Sequence, residues 1–179
     1  MDACTRPMVR ATWAWAQAAD LAGQHNLPFK IHTGYYAGNN SMYVNRIPSG
    51  HLCKLVMAYP ETRFVLMHIA YPYSDELVAM TKHFSNVYAD LCWAWSINPL
   101  HSVDFVRRFI HAAPINKLFA FGGDCFRPTS SVGYALQCLQ PAGLQITQQI
   151  ETLITNRLAF KLGTVVIHPL RKVLLIFQG

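Results

Sequence analysis

Three short apolar runs, each closed at its carboxyl end by a side chain that can bind a metal or carry a proton, constrain this chain more than any other feature. Phe29-Lys30-Ile31 leads into His32-Thr33-Gly34, and Arg63-Phe64-Val65-Leu66-Met67 leads into His68. Leu118-Phe119-Ala120-Phe121-Gly122-Gly123 leads into Asp124. Runs of this length, rich in Phe, Ile and Val and stopped by glycine, read as strands. A further strand is expected at 87–93. Between the runs the periodicity becomes helical. Leu52, Leu55 and Val56 share a stripe within 48–59. Ser74 caps a helix to about Phe84, with Asp75 and Glu76 near its positive end. Val103, Val106, Phe109 and Ile110 share one side of a helix that Pro114 stops. Strands alternating with helices require parallel pairing through right-handed crossovers. Residues just past the strands then meet at one rim, so the predicted class is α/β, a parallel barrel with its site at that rim.

The length decides how much of a barrel is present. A complete eight-stranded barrel takes about 250 residues, whereas this chain has 179. A leading helix starts at Thr5 and Pro7, carries Val9, Trp13, Ala16 and Ala19, and stops at Gly23, with Trp13 and Trp15 read as packing residues. Four strand–helix units follow, then a short helix over 130–138 and a closing helix over 147–161 with Gly163 as its stop. The expectation is a partial (β/α)8 TIM barrel over 1–163 and a tail, 164–179, outside the pattern. The polar and aromatic stretch 35–46 is a loop at a strand's carboxyl end, where barrel enzymes place substrate contacts.

Composition narrows the partners. Apolar residues make up 52% and charged residues 13%, which suits a buried sheet better than a solvated rod. The net charge of +6 comes from cations scattered along the chain, without a basic tract or helix face. This pattern argues against nucleic acid and suits a small anionic substrate. Cys4, Cys53, Cys92, Cys125 and Cys138 form no C-x-x-C pair, which predicts reduced thiols in a cytoplasmic protein and no zinc knuckle. The first residues lack a signal-peptide core, and the apolar bursts 164–167 and 173–177 are too short to span a bilayer, so no membrane partner is expected.

His32, His68 and Asp124 are therefore the candidate site. Two imidazoles and a carboxylate can hold zinc or another divalent ion, which lowers the pKa of a bound water. Asp124 can accept that water's proton, and His68 can polarise a substrate oxygen. A single histidine after an apolar run is commonly a hydrogen-bonded core residue; three such residues in equivalent places are harder to assign to packing. His25, His51, His83, His101, His111 and His168 have no identifiable partners and are read as structural. Asp90 and Trp93 either face the site or pack. Arg127 can grip a substrate carboxylate in bidentate fashion, or be a solvated loop arginine.

At these residues the chain resembles the amidohydrolase superfamily. The motifs are His-Thr-Gly at 32–34, Val-Leu-Met-His at 65–68 with Tyr71-Pro72, Asn86-Val87-Tyr88-Ala89-Asp90, and Gly122-Gly123-Asp124. The resemblance covers about residues 8–162 and is nearest to the uronate-isomerase-like, decarboxylase-like and nodulin-type branch. It implies that the four units are strands five to eight of a distorted (β/α)8 barrel. His32 would be the fifth-strand ligand. His68 would be the sixth-strand histidine, a ligand in two-metal members and a positioning group in one-metal members. Asp124 would be the eighth-strand ligand and proton acceptor. The family's first-strand His-x-His pair is absent from this sequence, and truncation of a longer protein is the simplest expectation.

Two functional readings follow. The first is a metal-dependent hydrolase that uses a metal-activated water on an amide, ester or lactone of a small polar or carboxylate substrate. Its metal ligands would be His32 and Asp124, its catalytic residues Asp124 and His68, and its substrate contact Arg127. The second is an inactive half barrel that binds a partner or associates with itself. In either case the chain is expected to form a homo-oligomer or to join a missing N-terminal half.

Overall fold

The computed structural model describes residues 5–38, 40–125, 127, 129–130, 132–134 and 137, with only the backbone for 5–11. The chain divides into two compact units, Met1–Phe126 and Arg127–Gly179. Every strand and helix that frames the site belongs to the first. The expected helix over 147–161, the loop at 140–143, the tail and His168 lie outside the described residues, as does the expected boundary at 163.

The leading helix α1 spans Thr5–Gln24. It continues past Gly23, and the chain turns instead at Asn26, whose φ is 53°. β1 (Pro28–Ile31) follows, then two 3-10 turns (Val44–Arg46 and Ser49–Leu52) and α2 (Cys53–Ala58). Next come β2 (Arg63–Leu66), α3 (Ser74–His83), β3 (Val87–Cys92), α4 (Ala94–Ile97), α5 (Pro99–Ala112) and β4 (Leu118–Gly122). The four strands form one sheet in the order β1-β2-β3-β4, and every pairing is parallel. Sequential order, parallel pairing and a helical crossover at each step are the topology of a partial (β/α)8 barrel, as the alternating pattern predicts.

Parallel strands covered by helices are apolar on the covered face. Phe64, Leu66, Val87, Ala89 and Leu91 from the strands are buried, together with Leu77, Phe105 and Phe109 from α3 and α5. The buried side of α5 is Ser102, Phe105, Val106 and Phe109, one position away from the expected stripe. Ser102 is tolerated inside because its hydroxyl donates to Asn98 O at 3.0 Å. The expected helix 48–59 is shorter than its periodicity suggests: a 3-10 turn covers Ser49–Leu52 before six helical residues begin. Ser74 does not cap α3, and its hydroxyl pairs with His101 Nε2 at 2.8 Å. Trp15 packs against Phe29 at 5.6 Å, whereas Trp13 is 65% exposed. No helix among the described residues is long and apolar enough to cross a membrane.

Candidate metal centre

Each strand reaches the rim through a left-handed turn. Gly34 has φ 71°, His68 59°, Ile69 47°, Ala70 51°, Trp93 58° and Asp124 45°. Positive φ is costly for residues with a Cβ, and it clusters where a site demands a particular side-chain direction. Gly34 cannot be replaced cheaply, since a Cβ there would strike Tyr71 O and lie 2.6 Å from Tyr71 N. Its neighbours lock the first two loops together. Tyr35 N donates to Tyr71 O at 2.6 Å, and Met67 N donates to Ile31 O at 2.9 Å.

These turns bring the three sequence candidates to one point. His68 Nε2 lies 3.1 Å from His32 Nδ1 and 3.5 Å from Asp124 Oδ2. One donor atom from each residue falls within 4.8 Å of the other two. The other ring nitrogens fix the tautomers. His68 Nδ1 is 2.7 Å from Cys92 O and His32 Nε2 is 3.1 Å from Tyr35 O. A carbonyl oxygen only accepts, so both of those nitrogens carry hydrogen. His68 Nε2 and His32 Nδ1 therefore present lone pairs to each other and to a carboxylate. Such a convergence of acceptors requires a cation or a proton between them. Tetrahedral coordination with bonds of about 2.0–2.1 Å sets neighbouring donors about 3.3 Å apart, which the two short separations bracket.

Burial disfavours a protonated His68 as the source of that charge. His68 is fully buried. Its imidazole is held below the ordinary range, above all by burial, against which the Cys92 carbonyl acts in the opposite direction. His32 is exposed, and Asp124 is exposed at 45% of its side chain. The site thus has a buried floor and an accessible mouth. It opens into a cleft of about 630 Å³ lined by His32, Tyr36, Ala37, Trp93, Asp124 and Cys125. Trp93 stands edge-on to His68 at 5.5 Å, so this residue belongs to the site wall.

Beneath the rim, Asp90 is buried and pairs with Lys30 Nζ at 2.8 Å. Its other oxygen accepts from Cys92 N at 2.8 Å. The sequence alone leaves Asp90 open between site and packing and gives Lys30 no role. The available signal was a charged residue inside an otherwise apolar strand. The hydrogen bond to Asp90 raises the Lys30 pKa, and partial burial opposes it. Burial, with Asp90 nearby, pushes the Cys92 thiol up to about 11, so it stays protonated. Of the structural histidines, His25, His51, His83, His101 and His111 lie outside this cluster. Arg127 is exposed and belongs to the second unit, whereas the cluster is built from the first alone.

A family model described as amidohydrolase matches residues 6–147. An 84-residue stretch is 38% identical to protein fluG of Emericella nidulans, covering 47% of this chain and 9% of that protein. A crystal structure from Lactobacillus casei ATCC 334, assigned as a metal-dependent hydrolase, aligns with a TM-score of 0.58. That alignment has 18% identity and covers 70% of this chain and 33% of the other. At such identity the likeness is one of fold. The chain thus spans about a tenth of the first relative and a third of the second.

Proposed function

Since the chain belongs to the amidohydrolase family, we propose that it carries the metal-binding rim of a hydrolase that attacks an amide, ester or lactone of a small polar or carboxylate substrate. The observation that carries this reading is the meeting of two imidazole lone pairs at 3.1 Å beside the Asp124 carboxylate. This donor set fits a divalent ion. Zinc is the first choice, because imidazole nitrogen and carboxylate oxygen are its usual ligands. His32 and Asp124 would hold the ion. His68 Nε2 faces both and would complete three protein donors if it also ligates, the number that leaves a position open in catalytic zinc sites. A bound ion would supply Lewis acidity and a water acidic enough to ionise near neutral pH.

The chain's own residues then divide the work. Asp124, at the open mouth, accepts the proton of the attacking water and returns it to the leaving group. Neutral His68 offers only an acceptor to the cleft. It can position water or serve as a ligand, and donating to a developing oxyanion would need its imidazolium. Tyr36 and Trp93 wall the cleft and orient the substrate. Arg127 remains the proposed grip for a substrate carboxylate, on the strength of its place in the sequence after Asp124. The test is turnover of an amide, ester and lactone panel by zinc-loaded protein. Hydrolysis that Asp124→Asn abolishes supports the proposal; tightly bound zinc with no turnover across the panel contradicts the catalytic part.

A second reading, an inactive half barrel that binds a partner or a second copy, is favoured by the sheet edges. Among the described residues β1 and β4 each pair on one side only. Phe119 and Phe121 on β4 are 48% and 42% exposed. Unpaired parallel edges with apolar side chains favour completion by further strands, supplied by another copy or by a separate N-terminal half.

A further inference from the structure

The tautomer that directs His68 towards the proposed ion is set by the carbonyl of Cys92, and that carbonyl is aimed by a defect in the sheet. From Asp90 to Cys92 on β3, the partners on β4 move from Phe119 to Gly122, so two steps on one strand face three on the other. This is a bulge, and bulges re-aim the groups beside them. At this bulge Cys92 N is bonded to Asp90 Oδ1 at 2.8 Å. The next peptide, the one that carries Cys92 O, is held as well: Trp93 N donates to Gly122 O at 2.8 Å. Cys92 O is then left to accept from His68 Nδ1 at 2.7 Å. Asp90 can hold this position only because its second oxygen meets Lys30 Nζ at 2.8 Å, since its side chain is 3% exposed. An unpaired buried carboxylate would be expelled or protonated.

We infer that Lys30 and Asp90 are a positioning pair for the metal centre: they lock β3 where it faces the extra residue of β4, so that Cys92 O holds His68 in the Nδ1–H tautomer with Nε2 directed at His32 and Asp124. The inference rests on the metal reading above and adds two residues that do not touch the ion. Groups that orient a ligating histidine through its second nitrogen set both its tautomer and its affinity. Lys30 lies on the strand that turns into His32, so one ion pair ties that strand to β3, whose Cys92 carbonyl orients His68.

Two readouts on the full chain test this. The first is the His68 tautomer, read from long-range proton–nitrogen NMR correlations of chelator-treated protein near pH 8. The second is zinc affinity by competition with a chromophoric chelator. The parent protein should show the Nδ1–H form alone. Lys30→Met and Asp90→Asn should mix the tautomers and weaken zinc binding by about tenfold or more, while Lys30→Arg should restore most of both. Lys30 is half exposed, so its variants should fold even if those of Asp90 do not. A pair that only stabilises the fold would lower the melting temperature and leave tautomer and affinity unchanged, and that result overturns the inference. If the parent takes up no zinc, the metal reading fails, and the tautomers of the Lys30 variants still decide the role of the pair.

Discussion

Three residues from three strands place acceptor atoms against one another, and the hydrogens that would relieve them are committed to backbone carbonyls. The pH dependence of stability should reflect this. Burial lowers the pKa of His68, and burial followed by the Arg108 charge lowers that of His101. Below the unfolded value of about 6.5 the unfolded chain binds more protons than the folded one. Their contribution is therefore complete above that pH and is lost as pH falls through it towards the folded values. The urea midpoint of chelator-treated protein should drop on acidification from about pH 7.5 to 5, and His68→Gln should make the drop shallower. An unchanged slope in that variant would mean that His68 is not held neutral by burial. Lys30 has the opposite sign: its raised pKa contributes stability that disappears only as the solution becomes strongly alkaline. His32, His68 and Asp124 were legible in the sequence because each ends an apolar run. Their tautomers were not, because Tyr35 O and Cys92 O become partners only through backbone turns that residue identity does not encode.

The rim is built by elements that stop abruptly, and its strain sits where they stop. Gly34→Ala would put a Cβ into the Tyr71 peptide at a φ of 71°. It should cost about 3 kcal/mol in denaturant unfolding and should loosen the bond from Tyr35 N to Tyr71 O. Gly122 meets a different constraint. A Cβ there would lie 2.7 Å from Cys92 Sγ and 2.8 Å from Cys92 Cβ. Gly122→Ala should therefore push Cys92 away and weaken zinc binding more than it weakens the fold, which comparing affinity with unfolding midpoint would detect. Strands were legible from apolar runs and glycine stops: β1 ends where its run does, and the other three end one residue earlier than theirs. Helix α2 is shorter than its periodicity suggests because a stripe of Leu52, Leu55 and Val56 does not distinguish a 3-10 entry from an α-helix. The bulge between Asp90 and Cys92 left no mark that a pattern of alternating residues could carry.

At the scale of the whole sheet, four parallel strands in sequential order carry past their carboxyl ends a cleft lined by His32, Tyr36, Trp93 and Asp124. The sheet's rim supplies three donors and an aromatic lining from one side of a barrel. Association should follow from the paired demands of an edge and an exposed apolar strand. Light scattering at micromolar concentration should give a mass above the 20.2 kDa of one chain, and Phe119→Lys should shift it towards the single-chain value. A monomer unaffected by that substitution would contradict the self-associating reading without touching the site. The site stands or falls on metal stoichiometry. Zinc titrated calorimetrically into the chelator-treated 179-residue chain should bind at one ion per chain in the parent and should not bind measurably in His32→Ala or Asp124→Ala with the fold retained. Uptake that persists in both variants, or no uptake by the parent, would contradict the convergence of these three side chains on one ion.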